Sequence, residues 1–166
     1  FDDPGLDACR EVACGPVLGT CEAAMRGASM IANSFSVVTT LPRSVPIIEE
    51  LAHKYGMQRY CRRVRAADIP VLALEEKNGA ARHRVLSEIS RAVDEDRCDA
   101  VILGCAGMTD LTDWLTEKTG VPVIDGVGVG LKLVEGLIGA GLRTSKVGPY
   151  AAPIPKGVPE CVEGSD

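Results

Sequence analysis

Cys105 is the residue of this sequence whose type and position best suit chemistry. It ends an apolar run that begins after Asp99, and it is followed at once by Ala106-Gly107-Met108-Thr109 and an amphipathic stretch. This order predicts a strand, a loop and a helix, with the thiol at the helix N-terminus. Such a terminus presents unpaired N–H groups and partial positive charge, which lower the pKa of a nearby thiol. A thiol in this position can act as a reactive thiolate.

Other cysteines compete with Cys105 for that role. The sequence has seven cysteines and no C-x-x-C pair, and an odd number fits reduced thiols better than a disulfide framework. Free cysteines commonly pack as small apolar residues, so most of the seven are expected to be inert. Cys21, in Thr20-Cys21-Glu22, has the same strand-to-helix position as Cys105. Physical reasoning alone leaves the choice between these two thiols open.

The composition narrows the function classes. Of the 166 residues, 46% are hydrophobic and 25% charged, which is typical of a globular chain, and no apolar run approaches a membrane span. The net charge of −5 argues against a nucleic-acid partner, because proteins that bind nucleic acids concentrate positive charge. The basic cluster of Arg59, Arg62, Arg63 and Arg65 is interpreted as a solvated helix end and turn. We expect a cytoplasmic protein with no nucleic-acid or membrane partner.

Alternating elements are predicted to position the candidate residues. Hydrophobic spacing predicts helices over residues 6–12, 20–32, 47–55, 80–96, 111–119 and 131–140. Strands are predicted over residues 17–19, 35–40, 100–103 and 121–124, with a further short strand within 64–74. Asn78-Gly79 predicts a turn, and the prolines after residue 148 predict an extended tail. This order is typical of a parallel α/β fold, in which ligands bind where the carboxyl ends of the strands meet.

Two other patterns are interpreted as structural. The glycines of residues 125–130 follow a strand, but the spacing is not G-x-G-x-x-G and no acidic residue ends a strand about twenty residues on. These glycines are instead expected to let a helix begin close against the sheet. His53 and His83 fall on predicted helices away from the strand ends, so we interpret both as helix-surface residues rather than catalytic bases.

The segment Val101-Ile102-Leu103-Gly104-Cys105-Ala106-Gly107-Met108 resembles a known motif. It is similar to the second cysteine motif of the aspartate/glutamate/hydantoin racemase superfamily, in its hydantoin and allantoin racemase branch. Residues 1–8 resemble the segment that follows the first catalytic cysteine of that family, and residues 16–24, 35–40 and 122–126 resemble further family segments. Amino-acid racemases usually have Gly-Cys-Thr-Glu at the second site, so Ala106 and Gly107 favour the hydantoin branch.

The resemblance implies an α/β fold of two similar lobes, each with a parallel sheet flanked by helices. It divides the chain into the remainder of a first, incomplete lobe (1–34), a second lobe (35–124), a helix that returns to the first lobe (125–145) and an extended tail (146–166). The first family cysteine would sit one residue before Phe1. Because the sequence opens without Met, inside an apparent loop, we expect the protein to begin earlier.

The resemblance also implies a reaction. Racemisation removes a proton next to a carbonyl and returns one from the opposite face, which two cysteines can do as thiolate and thiol without metal or cofactor. Cys105 would be one of the two, acting on 5-substituted hydantoins or allantoin. The intermediate enolate oxygen needs hydrogen-bond donors. The substrate-binding candidates implied are Phe1, Asp2, Thr39, Thr40, Gly104, Ala106 and Gly107.

Several alternatives stay open at this point. For each threonine, capping of a strand end is as good an explanation as substrate binding. The activity could instead be that of an amino-acid racemase or of a relative of arylmalonate decarboxylase or maleate isomerase. A chain that lacks the partner cysteine could also be folded and non-catalytic. We expect a small-molecule substrate and a homo-oligomer.

Overall fold

The fold is that of a computed structural model, which describes residues 1–75 and 79–153. Two kinds of element dominate these residues, parallel strands and the helices that connect them. The α-helices are α1 (Leu6–Val12), α2 (Thr20–Ile31), α3 (Val45–Lys54), α4 (Ala80–Arg91), α5 (Thr112–Thr119) and α6 (Gly126–Gly139). The strands are β1 (Phe35–Thr39), β2 (Cys61–Ala66), β3 (Ala100–Leu103) and β4 (Val123–Asp125). The predicted α/β class is confirmed.

One parallel sheet brings the strand ends together. Its order is β2-β1-β3-β4. Val38 of β1 lies opposite Leu103 of β3, and Leu103 lies opposite Asp125 of β4. Every residue of β1 and β3 is buried, as expected for central strands with both sheet faces covered. The residues that follow β1, β3 and β4 therefore lie at one edge of the sheet.

Two apolar layers cover the sheet. Helices α2 and α3 pack on one face, where Met25 and Ile48 are buried in one apolar cluster with Phe35 and Val37 of β1. On the other face α4 and α5 bury side chains such as Ile89 and pack on the opposite sides of the same strands. The strand-end residues are therefore held by elements that are fixed on both sides, which is a rigid frame for a site.

Two local predictions are wrong. The predicted strand 17–19 is extended but has no strand partner among the described residues, and its Val17 carbonyl accepts a hydrogen bond from Arg10 Nε at 3.1 Å. A three-residue run flanked by Gly15-Pro16 and Gly19 carries too little pattern to distinguish a strand from an extended connection. Helix α6 begins at Gly126, five residues before the predicted start, because Asp125 caps it.

The interpretation of the basic cluster is also wrong. Arg62, Arg63 and Arg65 belong to strand β2 rather than to a helix end and turn. Arg65 is buried and paired with carboxylates of Glu88, Glu95 and Asp96. The partners lie 23–31 residues along the chain, at the end of α4 and in the π-helical turn Ala92–Asp96 that follows it. Local sequence spacing could not reveal that these distant carboxylates neutralise Arg65.

The division of the chain into lobes stays a prediction. The described residues form one sheet, and α2, assigned by sequence to the first lobe, packs directly on it. Asn78 and the tail beyond residue 153 lie outside the described residues. In the part of the chain that the structure describes, none of the helices has the length and apolar character needed to cross a membrane.

Candidate active site

A small recess lies at the edge of the sheet where the strand ends meet. Its cavity volume is about 10 Å³, roughly the space of one water molecule. Its lining comes from several distant segments: Phe1, Thr20, Leu103, Cys105, Ala106, Thr109, Gly126 and Val127. Of the residues predicted for the site, the structure therefore brings Cys105, Ala106 and Phe1 together around one opening.

The loop after β3 fixes Cys105. Its backbone is extended, with φ −155° and ψ 130°, and residues Ala106–Leu111 then form a 3₁₀ helix that leads into α5. The Met108 N–H donates to the Cys105 carbonyl at 3.1 Å, and the Met108 side chain is fully buried. The helix predicted after Cys105 is present, but its first turns are 3₁₀. Cys105 is half-buried and lines the recess.

Burial separates Cys105 from the other thiols of the core. Cys21 is 0% exposed, and burial, together with the nearby Asp3 carboxylate, raises the pKa of its thiol. Burial also raises the pKa of Cys98, and it raises that of Cys61 to about 12. Thiols that stay protonated at neutral pH are poor bases and nucleophiles. Between the two rivals from the sequence, Cys105 lines the recess and Cys21 packs beneath it in the core.

The two threonines after β1 differ in their hydrogen bonds. The Thr39 hydroxyl donates to the Gly104 carbonyl at 3.1 Å and is buried, so it joins the ends of β1 and β3. Within the described residues the Thr40 hydroxyl has no hydrogen-bond partner. Gly104 is packed against Thr39, since a Cβ at residue 104 would lie 2.9 Å from the Thr39 Cβ. Thr39 and Gly104 therefore pack against each other and join the ends of β1 and β3 directly before Cys105.

Gly107 and Asp2, the other predicted residues, are not part of the recess lining. A Cβ at Gly107 would lie 3.7 Å from the Cys105 Sγ and 3.5–3.6 Å from Leu74 and Val71, so this glycine adjoins the thiol. Asp2 is exposed and does not line the recess. Its predicted part in substrate binding is therefore the least supported by the geometry.

Sequence reasoning missed the polar residues opposite Cys105. The Thr109 hydroxyl lies 2.9 Å from the Ala106 carbonyl and 3.3 Å from Asp125 Oδ1. Asp125 Oδ1 also accepts from the N–H groups of Val127 and Gly128, which caps α6. An Asp between a strand and a helix is a local signal for such a cap, whereas Thr109 carries no comparable signal. A Cβ at Gly126 would lie 2.2 Å from the Thr20 carbonyl, so this glycine lets α6 begin close against α2, whereas the sequence predicted close packing against the sheet.

Asp3 is a further residue that sequence reasoning missed. Its carboxylate accepts hydrogen bonds from Thr20 Oγ1, the N–H groups of Cys21 and Glu22, and the Tyr55 hydroxyl. These partners lie 17–52 residues away in the sequence. No local pattern could therefore have identified Asp3. In the described part of the chain, no cluster of three or more His, Cys, Asp or Glu side chains could hold a metal ion.

Comparison with known proteins identifies the family. Residues 1–134 match the model of the family described as Asp/Glu/Hydantoin racemase. The chain belongs to this family. It is 59% identical over 153 residues to a hydantoin racemase of Rhizobium meliloti, covering 92% of this chain and 64% of that protein. It is 44% identical to a hydantoin racemase of Pseudomonas sp. (strain NS671), with 92% and 61% covered.

Solved structures show the same fold. The chain superimposes on allantoin racemase from Klebsiella pneumoniae with a TM-score of 0.91 and 49% identity, covering 95% of this chain and 64% of that one. For allantoin racemase from Pseudomonas fluorescens the TM-score is 0.91, the identity 39%, and the coverage 95% and 67%. The chain thus spans less than two thirds of the length of the curated relatives that it matches.

Proposed function

We propose that this chain is part of a cofactor-independent racemase of 5-substituted hydantoins or allantoin, with Cys105 as one of two acid/base residues. One observation carries the proposal. Cys105 is the cysteine of the described residues that lines the recess at the strand ends, and Phe1 lines the same recess. The relatives named hydantoin racemase and allantoin racemase support the reaction class.

The proposed chemistry follows from the acidity of the substrate. Both substrates carry a C–H bond at C5, next to a ring carbonyl. A Cys105 thiolate takes this proton as the C–H bond breaks, and the electron pair moves onto the carbonyl oxygen as an enolate. A thiol on the opposite face then gives its proton to C5, which inverts the centre. We place that second cysteine directly before Phe1 in a longer protein, on the side of the recess that Phe1 lines.

We propose donors for the enolate oxygen in the loop that follows Cys105 and at the end of β1. The first N–H groups of the 3₁₀ helix that begins at Ala106 have no acceptors within the helix. They and the Thr40 hydroxyl are our proposed donors, because the Thr39 hydroxyl already bonds to the Gly104 carbonyl. This arrangement assigns substrate binding to Ala106, Gly107 and Thr40, and strand-end capping to Thr39.

We also propose a cytoplasmic homo-oligomer. The six cysteines of the described residues are free thiols, which supports a reducing compartment. Exposed apolar side chains on α2 and α6, including Met30, Ile31 and Leu131, support association with a second copy. Sedimentation of the protein at cellular concentration tests the assembly, and fractionation of the source cells tests the location.

Replacing Cys105 by Ser tests the mechanism in a chain extended upstream to the length of its relatives. A hydroxyl is a far weaker base than a thiol at neutral pH, so racemisation should fall by roughly 10²-fold or more. Optical rotation measures inversion, and NMR in D₂O measures exchange at C5, with a 5-substituted hydantoin and with allantoin. Cys9→Ser, on the exposed surface of α1, is the matched control and should leave both rates unchanged.

Two results would contradict the proposal. Near-normal racemisation by the Cys105→Ser variant would remove Cys105 from the mechanism. Full racemase activity of the 166-residue chain alone would show that no second group before Phe1 is needed, since we expect that chain to exchange the C5 proton on one face and to invert it poorly.

A further inference from the structure

A chain of hydrogen bonds connects Tyr55 to the wall of the recess through Asp3. Asp3 Oδ2 accepts from the Tyr55 hydroxyl at 2.8 Å and from the Glu22 N–H at 3.0 Å. Asp3 Oδ1 accepts from the Cys21 N–H at 3.1 Å and from Thr20 Oγ1 at 3.3 Å. Both carboxylate oxygens therefore have two donors each, and the side chain has a single well-defined position.

The surrounding residues are shaped to admit this carboxylate. The N-cap position of α2 is Gly19, which has no side chain to cap the helix. A Cβ at Gly19 would lie 2.1 Å from Asp3 Oδ2, so the glycine leaves the space that the carboxylate fills. Tyr55 is only 8% exposed, and burial, together with its hydrogen bond to Asp3, raises the pKa of its hydroxyl. Tyr55 therefore stays protonated and keeps donating to Asp3.

Asp3 joins two walls of the recess. Thr20, which lines it, donates to the carboxylate, and Phe1, which also lines it, lies two residues earlier in the chain. The Asp3 backbone has φ +46°, a left-handed conformation that turns the chain between Phe1 and α1. The direction of the chain at Phe1 therefore depends on a carboxylate whose firmest anchors are the N-terminus of α2 and the Tyr55 hydroxyl.

We infer that Asp3 is a positioning residue for the racemisation, and that Tyr55 holds Asp3 in place. The Asp3 carboxylate fixes the positions of Phe1 and Thr20, which line the recess together with Cys105. In our inference it thereby sets the distance over which a proton is delivered to the second face of the substrate. This inference rests on the proposed function. A simple helix cap would stabilise α2 without altering the balance between the two faces.

Tyr55→Phe in the upstream-extended chain tests the inference, because it removes one hydroxyl and keeps the buried ring. A misplacement of about 1 Å can slow a positioned reaction by about two orders of magnitude, so we expect kcat to fall about 10-fold for this partial loss, with KM little changed. In Asp3→Asn one acceptor oxygen is replaced by a donor, so kcat should fall further than in Tyr55→Phe. Tyr60→Phe is the matched control, since the Tyr60 hydroxyl has no hydrogen bond within the described residues.

Isotope exchange separates positioning from folding. For the enantiomer whose proton faces Cys105, removal and return on the same face should persist in D₂O while inversion slows, so the ratio of inversion to exchange should fall. An unchanged ratio in both variants, or an equal loss of inversion and exchange that follows the folded fraction, would overturn this inference alone. Absence of racemisation by the unmodified extended chain would overturn the proposed function, and this inference with it.

Discussion

Replacing Arg65 by Met should destabilise the fold strongly, because it leaves a buried carboxylate without its cation. Arg65 Nε lies 2.6 Å from Asp96 Oδ2 and Arg65 Nη2 lies 2.5 Å from Asp96 Oδ1, a two-point pair. The two side chains are only 4% and 5% exposed. Glu88 and Glu95 bond to the same guanidinium at 3.1 Å and 2.7 Å. Met fills much of the volume of the Arg stem and removes only the charge and the donors.

The size of the expected loss in the free energy of unfolding depends on which charges stay buried without a partner. Removing one partner of a buried ion pair costs about 3–5 kcal/mol, because the other charge is left uncompensated. Among the described residues, Asp96 would keep only the hydrogen bond from the Ser36 hydroxyl, at 2.9 Å, and a contact of 4.0 Å with Arg63. Glu88 and Glu95 are more exposed and add little to the loss. We therefore expect the free energy of unfolding to fall by about 3 kcal/mol.

Urea is uncharged and does not screen the ion pair. Urea unfolding at pH 7, monitored by circular dichroism, therefore measures this loss of stability. With a slope near 2 kcal/mol per molar urea, the midpoint should fall by about 1.5 M. Arg63→Met is the matched control from the same strand. Arg63 is 62% exposed and 4.0 Å from Asp96, so its loss should cost less than about 1 kcal/mol. In a background of Asp96→Asn, which carries no charge, Arg65→Met should cost less than it does alone.

The pH dependence has a definite sign. Burial raises the pKa of Asp96, but hydrogen bonds from Arg65 and Ser36 outweigh burial and lower it below 3.8. Its stabilising contribution is therefore complete above that value and is lost as pH falls through the lower folded pKa. Without Arg65, burial should raise the pKa of Asp96, so acid should neutralise the unpaired carboxylate. The stability difference between the two proteins should shrink from pH 7 to pH 4. Equal midpoints for Arg65→Met and Arg63→Met, or a pH-independent difference, would refute this reasoning.

Three further predictions concern the loop that carries the thiol and the thiol itself. Gly104→Ala should lower the free energy of unfolding by about 1–3 kcal/mol, because its Cβ would lie 2.9 Å from a buried side chain of β1. Gly107→Ala meets only ordinary contacts of 3.5–3.7 Å, so thermal unfolding should show no loss, while racemisation slows beside Cys105. Iodoacetamide at pH 8 should label Cys105 well before Cys21 and Cys61, with substrate protecting Cys105. The Cys61 pKa of about 12, against 9.0 for an unperturbed thiol, lowers its thiolate fraction roughly 1,000-fold. Earlier labelling of either core thiol would contradict this order.

Local pattern was sufficient for the elements that form the core. The strand Ala100–Leu103 was predicted to the residue, and helix α2 to within one residue of its end. Both are continuous apolar or strongly periodic segments with clear boundaries. Topology then indicated a candidate site, because the carboxyl ends of parallel strands must share an edge, and Cys105 follows one of them. The thiol could thus be proposed before its surroundings were known.

Contacts between distant segments were beyond the reach of local pattern. Arg65 looked like part of a solvated charge run because its carboxylate partners lie far along the chain. There was no local signal for Asp3 in the sequence, because its four hydrogen-bond donors come from α2 and from the end of α3. The same limit kept Cys21 and Cys105 equivalent, since the burial that raises the pKa of Cys21 depends on the packing of α2 against the sheet.

The residues at the two ends of β3 have different roles. Those at its start contribute to stability, and Cys105 after its end is the proposed acid/base residue. At its start, Asp99 accepts from the N–H groups of Asn33 and Ser34, just after the turn that Arg65 holds. Cys105 lies beyond the other end, six residues away and so about 20 Å along an extended chain. Weakening the first end should lower the free energy of unfolding while the folded molecules keep their ratio of inversion to exchange. Tyr55→Phe acts at the opposite edge and should change that ratio among the folded molecules.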